Sequence, residues 1–340
     1  MTKRIQANRH GLLTSLDTAR HMIPGLVSNP LSQQNKQGMD QLEAAVDAFP
    51  GLHYERLDHF EDLPAALDRL AAAGVELLLV NGGDGTVQAV MTEVLERRPW
   101  GETPPVFGLL HGGMTNMTAV DVGLRGKPHR GLARLRKRLA DGNLDSALCR
   151  RYVLRLEGAL NTPPQRGMFF GAAAIYQAIQ LCRTEVHPLK IEADWAAGLT
   201  LARLLGGWVF GGKSREAIRG ETITAAFDQG ASETRRELLA IATTLDRLVV
   251  GSRPFWNQQG EPLRYTSICY PPKGLLRHSL KVLYGGNERR LPKDCYRSRG
   301  ADSVELELEG PFTLDGQFHE PDPQRPLRVS APDSLDFVKL

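Results

Sequence analysis

Four cysteines are all this 340-residue chain has, and Cys149, Cys182, Cys269 and Cys295 lie far apart, with no C-x-x-C pair and no histidine at ligand spacing. That scatter excludes a zinc site of ordinary spacing and a dense disulfide frame, and it reads as reduced thiols in a cytosolic protein. Aromatic residues are only 6% of the chain, and the formal net charge of +3 is too small to imply nucleic acid as a partner. Long apolar runs are also missing. The most hydrophobic stretch, residues 196–212, is broken by Arg203 and several glycines and is shorter than the roughly 20 apolar residues a membrane-spanning helix needs. The first twenty residues have no continuous apolar core, so no secretory signal is expected. No repeat or low-complexity segment is evident. What remains is ordinary globular composition, 41% hydrophobic and 24% charged, at a length that supports two domains with their own cores.

The informative stretch runs from Val75 to Val87. An apolar run fit for a buried strand (Val75-Glu76-Leu77-Leu78-Leu79-Val80) empties into Asn81-Gly82-Gly83-Asp84-Gly85-Thr86. Val87, Val90, Met91, Val94 and Leu95 then fall on one face of a helix. Asn-Gly and Asp-Gly are also hairpin signals, but a hairpin requires period-2 alternation after Gly85, and the period here is 3.6. Strand, glycine loop and helix N-terminus form a geometry that binds phosphate, because glycine lets backbone N–H groups approach an anion closely. Asp84 in that loop suits a carboxylate that meets a phosphate-bound metal ion. The spacing is not that of a Walker A loop, since no Lys-Ser or Lys-Thr follows, and it is not the dinucleotide fingerprint.

Around this loop the first third alternates strand and helix: strands near 23–28, 54–57 and 106–110, and helices near 38–49 and 63–73. The strand at 106–110 empties into His111-Gly112-Gly113-Met114-Thr115-Asn116. This rhythm predicts a three-layer α/β domain over 23–142 with a parallel sheet, and ligands at the carboxyl ends of its strands. Strand-like segments at 151–156, 167–174, 222–227, 237–243, 265–269, 279–284 and 304–308, with one helical stretch near 195–208, predict a mainly antiparallel, β-rich second domain over 143–325. A last strand at 326–340 is placed to return to the first domain.

Four segments, in order, resemble the diacylglycerol kinase catalytic family, which includes sphingosine and ceramide kinases and bacterial lipid kinases. Asn29-Pro30-Leu31-Ser32 resembles its opening Asn-Pro-x-Ser. Gly82-Gly83-Asp84-Gly85-Thr86 matches its nucleotide loop. Gly113 to Ala119 resembles Gly-Thr-x-Asn-Asp-x-Ala, keeping Gly113, Asn116 and Ala119. Leu314-Asp315-Gly316-Gln317 resembles the terminal Asp-Gly-Glu. The likeness runs from about residue 23 to the C-terminus. Met114, Met117, Gln33, Gln88-Ala89 and Gln317 depart from the pattern, which marks a divergent member and leaves the lipid acceptor open. Gln258-Gln259-Gly260 stands near the place of an Asp-rich, metal-holding turn in some bacterial members.

The resemblance implies an ATP-dependent kinase that phosphorylates a primary hydroxyl of diacylglycerol, ceramide or a sphingoid base. Asn29, Gly82, Gly83, Asp84, Gly85, Thr86, Gly113 and Asn116 would bind nucleotide, Asp84 would act through Mg²⁺, and Asp315 would be the general base. Thr86 either donates its hydroxyl or caps the helix. Asn116 either binds nucleotide or satisfies a turn, and Asp315-Gly316 is also an ordinary turn sequence. Two cation-rich stretches suit either an anionic membrane surface at the inner face of the cytoplasmic membrane or an ordinary solvated face. One holds Arg125, Lys127, Arg130, Arg134, Arg136, Lys137 and Arg138. The other holds Lys273, Arg277, Lys281, Arg289, Arg290, Lys293, Arg297 and Arg299, interleaved with Leu275, Leu276 and Leu280. Leu199, Leu204, Leu205, Trp208 and Phe210 are candidates for an acyl pocket or for plain core. An NAD kinase, or a nucleotide- or lipid-binding protein without catalysis, stays open as an alternative.

Overall fold

The computed structural model describes residues 22–32, 35, 38–113, 116–181 and 220–340. The expected helix near 195–208, the acyl-pocket candidates, Gln33, Met114 and Cys182 lie outside the described residues. The chain divides into two compact units. One holds the described residues up to Arg150 together with Leu335–Leu340, and the other is Arg151–Ser334.

The first unit is a parallel sheet between helices, as the alternating pattern implies. Strands β1 (Pro24–Ser28), β2 (His53–Arg56), β3 (Leu77–Gly82) and β4 (Val106–His111) lie in the order β2-β1-β3-β4. Leu26, Leu77 and Leu79 pack on one face with Leu42 of α1 (Met39–Asp47) and with Leu132 and Leu135 of α5 (Pro128–Ala140). On the other face Gly25 lies against Leu70 of α2 (Leu63–Ala72), so that a side chain there would collide with Leu70 and Val75. The register fixes what matters for function: Ser28 pairs with Asn81, and Gly82 with His111. Three loops therefore leave the carboxyl edge of the sheet side by side.

Helix α3 (Asp84–Thr92) begins one residue after β3 ends, apart from Gly83. The expected glycine loop is thus almost no loop: Gly82 completes the strand and Gly85 sits in the first helical turn. Helix α4 (Met117–Val122) follows β4. The first cation-rich stretch forms α5, a helix whose Pro128 occupies the first turn, where its missing N–H costs nothing.

The second unit is antiparallel around the long β9 (Ser232–Thr243), which pairs with β7 (Phe169–Ala173), β8 (Glu221–Phe227) and β10 (Leu263–Cys269). Strands β11 (Tyr296–Ala301), β12 (Ser303–Leu308), β13 (Phe312–Leu314), β14 (Gln317–His319) and most of β15 (Leu327–Val338) extend it. Phe170, Phe312, Leu263, Tyr265 and Leu306 are among the residues of its core. β5 (Leu148–Glu157), β6 (Gln165–Gly167) and the helix α6 (Ala174–Leu181) complete the described elements before residue 220.

Two expectations fail here. Residues 279–284 belong not to a strand but to helix α7 (Leu275–Tyr284). Alternating Leu280, Val282 and Tyr284 mimic a strand, yet Gly274 turns left-handed (φ 61°) to start a helix, and Leu275 and Val282, two turns apart, face the core. The cysteines are not all reduced thiols either. Cys269 and Cys295 form a disulfide, with Cα atoms 4.6 Å apart. The antiparallel pairing of Ile268 with Tyr296 sets the next two residues opposite each other, a closeness that a separation of 26 residues conceals.

The second cation-rich stretch is also less uniform than its sequence. Arg289 is 9% exposed and donates to the carbonyls of Gly286 (2.8 Å), Lys281 (3.0 Å), Arg253 (3.0 Å) and Phe255 (3.0 Å), and also to those of Val282 and Gly285. It therefore caps the C-terminus of α7 and is no surface cation. Arg297 pairs with Glu233, Lys273 pairs with Asp294, and Arg299 lies over the Phe227 ring at 4.4 Å. Because so many carbonyls depend on one guanidinium, Arg289→Met is expected to destabilise the fold by about 2–4 kcal/mol, read from the midpoint of urea unfolding. An unchanged midpoint would show that water replaces the cap. Among the described residues no helix is long and apolar enough to cross a membrane.

Candidate functional site

The three strand ends of the first unit bring the predicted nucleotide residues together. Asn29, just past β1, donates from Nδ2 to the Thr86 hydroxyl at 3.0 Å. Gly83 N–H donates to Ser32 Oγ at 3.2 Å, tying the loop after β1 to the start of α3. Thr86 lies two residues into the helix, and the cap position is Gly83, where no side chain is available. The helix-capping alternative for Thr86 is therefore not what the geometry shows. Its hydroxyl instead couples two loops.

The loop after β4 closes against this one through glycine. A Cβ on Gly113 would lie 2.3 Å from the Gly83 Cα, a distance no side chain tolerates. Asn116 is itself left-handed (φ 47°) and clasps Gly113 through both atoms of its amide. Its Oδ1 accepts from Gly113 N–H (2.8 Å), and its Nδ2 donates to Gly113 O (2.6 Å). Asn116 thus satisfies turn backbone, and in doing so it sets Gly113 against Gly83. Gly113→Ala is expected to force the two loops apart, at about 1–3 kcal/mol and with weakened nucleotide binding. Thermal melting and ATP titration would check this, and a variant with wild-type melting would mean that the loops can separate freely.

Asp84 sits at the first position of α3 and is partly accessible. Its Oδ1 accepts from Thr118 N–H at 3.3 Å, at the start of α4. Desolvation pushes its carboxyl up to about 6, and the backbone N–H groups of Met117, Thr118 and Asn116 partly oppose that rise. Among the described residues no lysine or arginine contributes to this balance. A carboxylate so placed is still largely ionised at neutral pH, and a cation would complete it. Met117, where the family usually has Asp, is buried at the first turn of α4 and cannot supply a second carboxylate.

Two participants escaped the sequence reading. Asn35 is 3% exposed and donates from Nδ2 to Asn29 O at 2.7 Å. Thr118, also buried, presents its backbone N–H to Asp84. Asn35 lies in a polar loop that reads as mere connection, and Thr118 acts through backbone, which leaves no trace in residue type.

Asp315 belongs to the other unit. With Gly316 it forms the two-residue turn between β13 and β14, both residues left-handed (φ 47° and 84°), as an Asp-Gly hairpin predicts. The turn does not exhaust its role. The side chain is 4% exposed, and its two oxygens accept from Met168 N–H and Phe169 N–H, each at 2.9 Å. Asp315 N–H in turn donates to Phe169 O at 2.8 Å. Gln317 is exposed on β14.

With this geometry in hand, comparison with known proteins becomes decisive for the first unit. Residues 25–143 match the diacylglycerol kinase catalytic domain. That match covers the loops at Asn29, Gly82 and Gly113 and supports a kinase of this kind. No curated protein matches the sequence. Among solved structures, a putative diacylglycerol kinase from Bacillus anthracis str. Sterne is similar over 93% of this chain and 96% of its own, with 15% identity and a TM-score of 0.64. Another structure of a putative diacylglycerol kinase from the same organism is similar at the same coverage and identity, with a TM-score of 0.63. At that identity the likeness establishes the fold of both units.

Proposed function

We propose that this chain is an ATP- and Mg²⁺-dependent lipid kinase that transfers phosphate to a primary hydroxyl of diacylglycerol, ceramide or a sphingoid base. One observation carries the reading. Asp84 is a desolvated carboxylate with no cationic partner among the described residues, placed where the loops of β1, β3 and β4 converge. That is the electrostatic complement of a divalent cation on a nucleotide. When bound, magnesium offsets negative charge on the phosphates during transfer.

The chain's own groups do the rest. Gly83 and Gly113, with no side chains between them, let backbone approach the phosphates, and the first turn of α3 has N–H groups that no side chain caps. The Asn29–Thr86 bond and the Asn116 lock hold these loops before nucleotide arrives, which lowers the ordering cost of binding. Asp315, its carboxylate fixed by the N–H groups of Met168 and Phe169, is the group we assign to accept the proton of the acceptor hydroxyl as the oxygen attacks phosphorus.

The test is phosphate transfer from γ-labelled ATP with Mg²⁺, offered diacylglycerol, ceramide, a sphingoid base and NAD in parallel. Label in a lipid product supports the proposal. Label in NAD alone would make the chain an NAD kinase, and ATP binding with no transfer would make it a binding protein.

A further inference from the structure

We propose that α7 is a membrane-docking helix that lays its outer face on an anionic lipid bilayer. Leu276, Leu280 and Tyr284 recur every fourth residue, and they are 53%, 72% and 52% exposed. They form one apolar row on the solvent side of the helix. The Tyr284 hydroxyl donates to Val250 O at 3.3 Å, and Val250, itself 49% exposed, extends the row. Four of the ten exposed large apolar side chains among the described residues therefore sit in one place. Scattered singly they would mean nothing, but a contiguous row marks a contact surface.

The charges beside the row choose the partner. Arg277 and Lys281 follow Leu276 and Leu280 by one position and form a parallel cationic row, and α7 contains no acidic residue. Arg253, exposed, lies at the end of the helix, where its N–H donates to Leu283 O at 2.6 Å. Arg290 and Lys293 are exposed nearby. Within residues 273–295 the acids are Glu288 and Asp294, and Asp294 is paired with Lys273, while Arg277, Lys281, Arg290 and Lys293 are exposed. An apolar row flanked by cations fits the boundary between anionic headgroups and acyl chains. A second copy of the chain fits poorly, because a two-fold contact would press Arg277 and Lys281 against their own equivalents.

The helix is also held rigid. Leu275 and Val282 anchor its inner face in a cluster with Leu238, Trp256 and Tyr296, and Arg289 caps its carbonyls. Docking then needs no folding of the contact element. Docking through this face deepens the lipid-kinase proposal by naming the element that meets the bilayer.

The experiment sediments the full chain with phosphatidylcholine vesicles, with and without phosphatidylglycerol. Wild type is expected to bind the anionic vesicles, less so as salt rises. Leu276→Ser with Leu280→Ser, and separately Arg277→Glu with Lys281→Glu, should each weaken binding by roughly tenfold or more. Leu280→Trp should shift its fluorescence to the blue on anionic vesicles only. No binding by wild type, or equal binding by the variants, overturns the proposal, as does a wild-type dimer that the serine variant dissolves. Transfer to a short-chain, water-soluble diacylglycerol separates the two readings. Variants that lose vesicles but keep this transfer support both. Loss of vesicle binding in a chain that phosphorylates no lipid supports docking and overturns the kinase proposal.

Discussion

Asp84→Asn is expected to lower turnover by roughly 10³, the worth of several kcal/mol of metal-assisted charge stabilisation, while leaving the protein folded and more stable near neutral pH. The amide keeps an oxygen for the Thr118 N–H, so the contact with α4 survives. What disappears is a buried negative charge. Because the folded carboxyl is raised to about 6 from an ordinary 3.8, its contribution to stability is full below pH 3.8 and is lost as pH rises through 6. Asparagine has no such loss, so the variant should gain on wild type across that window, by on the order of 1–3 kcal/mol at pH 7. Urea unfolding at pH 4 and pH 7, beside single-turnover transfer, checks both halves. A variant that loses stability at pH 7, or keeps wild-type turnover, removes Asp84 from the site.

Asp315→Asn should behave differently, combining a turnover loss of roughly 10²–10⁴ with a stability cost. The turn persists, since asparagine tolerates a left-handed backbone. The side chain, however, has only one acceptor oxygen for two backbone donors. Its NH₂ would face the N–H of Met168 or Phe169, leaving one buried donor unpaired at about 1–3 kcal/mol. ATP affinity should be within a few fold of wild type, because the nucleotide loops belong to the other unit. Transfer to diacylglycerol and ceramide, measured well below the melting temperature, separates chemistry from unfolding. Equal transfer by wild type and variant would reduce Asp315 to a clasp for the hairpin.

These two aspartates mark the limits of reading the sequence. The strand, the glycines and the 3.6-residue period after Gly85 all declare themselves, since each depends on local residue type. So does the Asp-Gly hairpin. What Asp315 holds is Met168 and Phe169, well over a hundred residues earlier, through their backbone, and no side-chain pattern records that contact. The same applies to Thr118. Helix α7 misled because exposed Leu280, buried Val282 and exposed Tyr284 alternate as apolar residues of a strand would, although they lie on opposite faces of a helix. Cys269 and Cys295 misled for the opposite reason, since only strand register brings them opposite each other. Arg289 shows that a cation in a basic run can be structural when carbonyls surround it.

Strand β15 has a consequence for the order of events during synthesis. Its last residues pair with the first unit: Phe337 lies opposite Phe107 with rings 5.8 Å apart, and residues 339 and 340 exchange backbone bonds with Ala147, Gly123 and Arg125. The first unit therefore lacks its closing strand until residues 335–340 have been translated. At about 5–20 residues per second that delay is roughly ten to forty seconds. Through it, the apolar edge of β4 has no permanent neighbour. A ribosome-bound chain released at residue 150 should accordingly be protease-sensitive and poor at retaining ATP, and a peptide spanning 327–340 added in trans should restore protection.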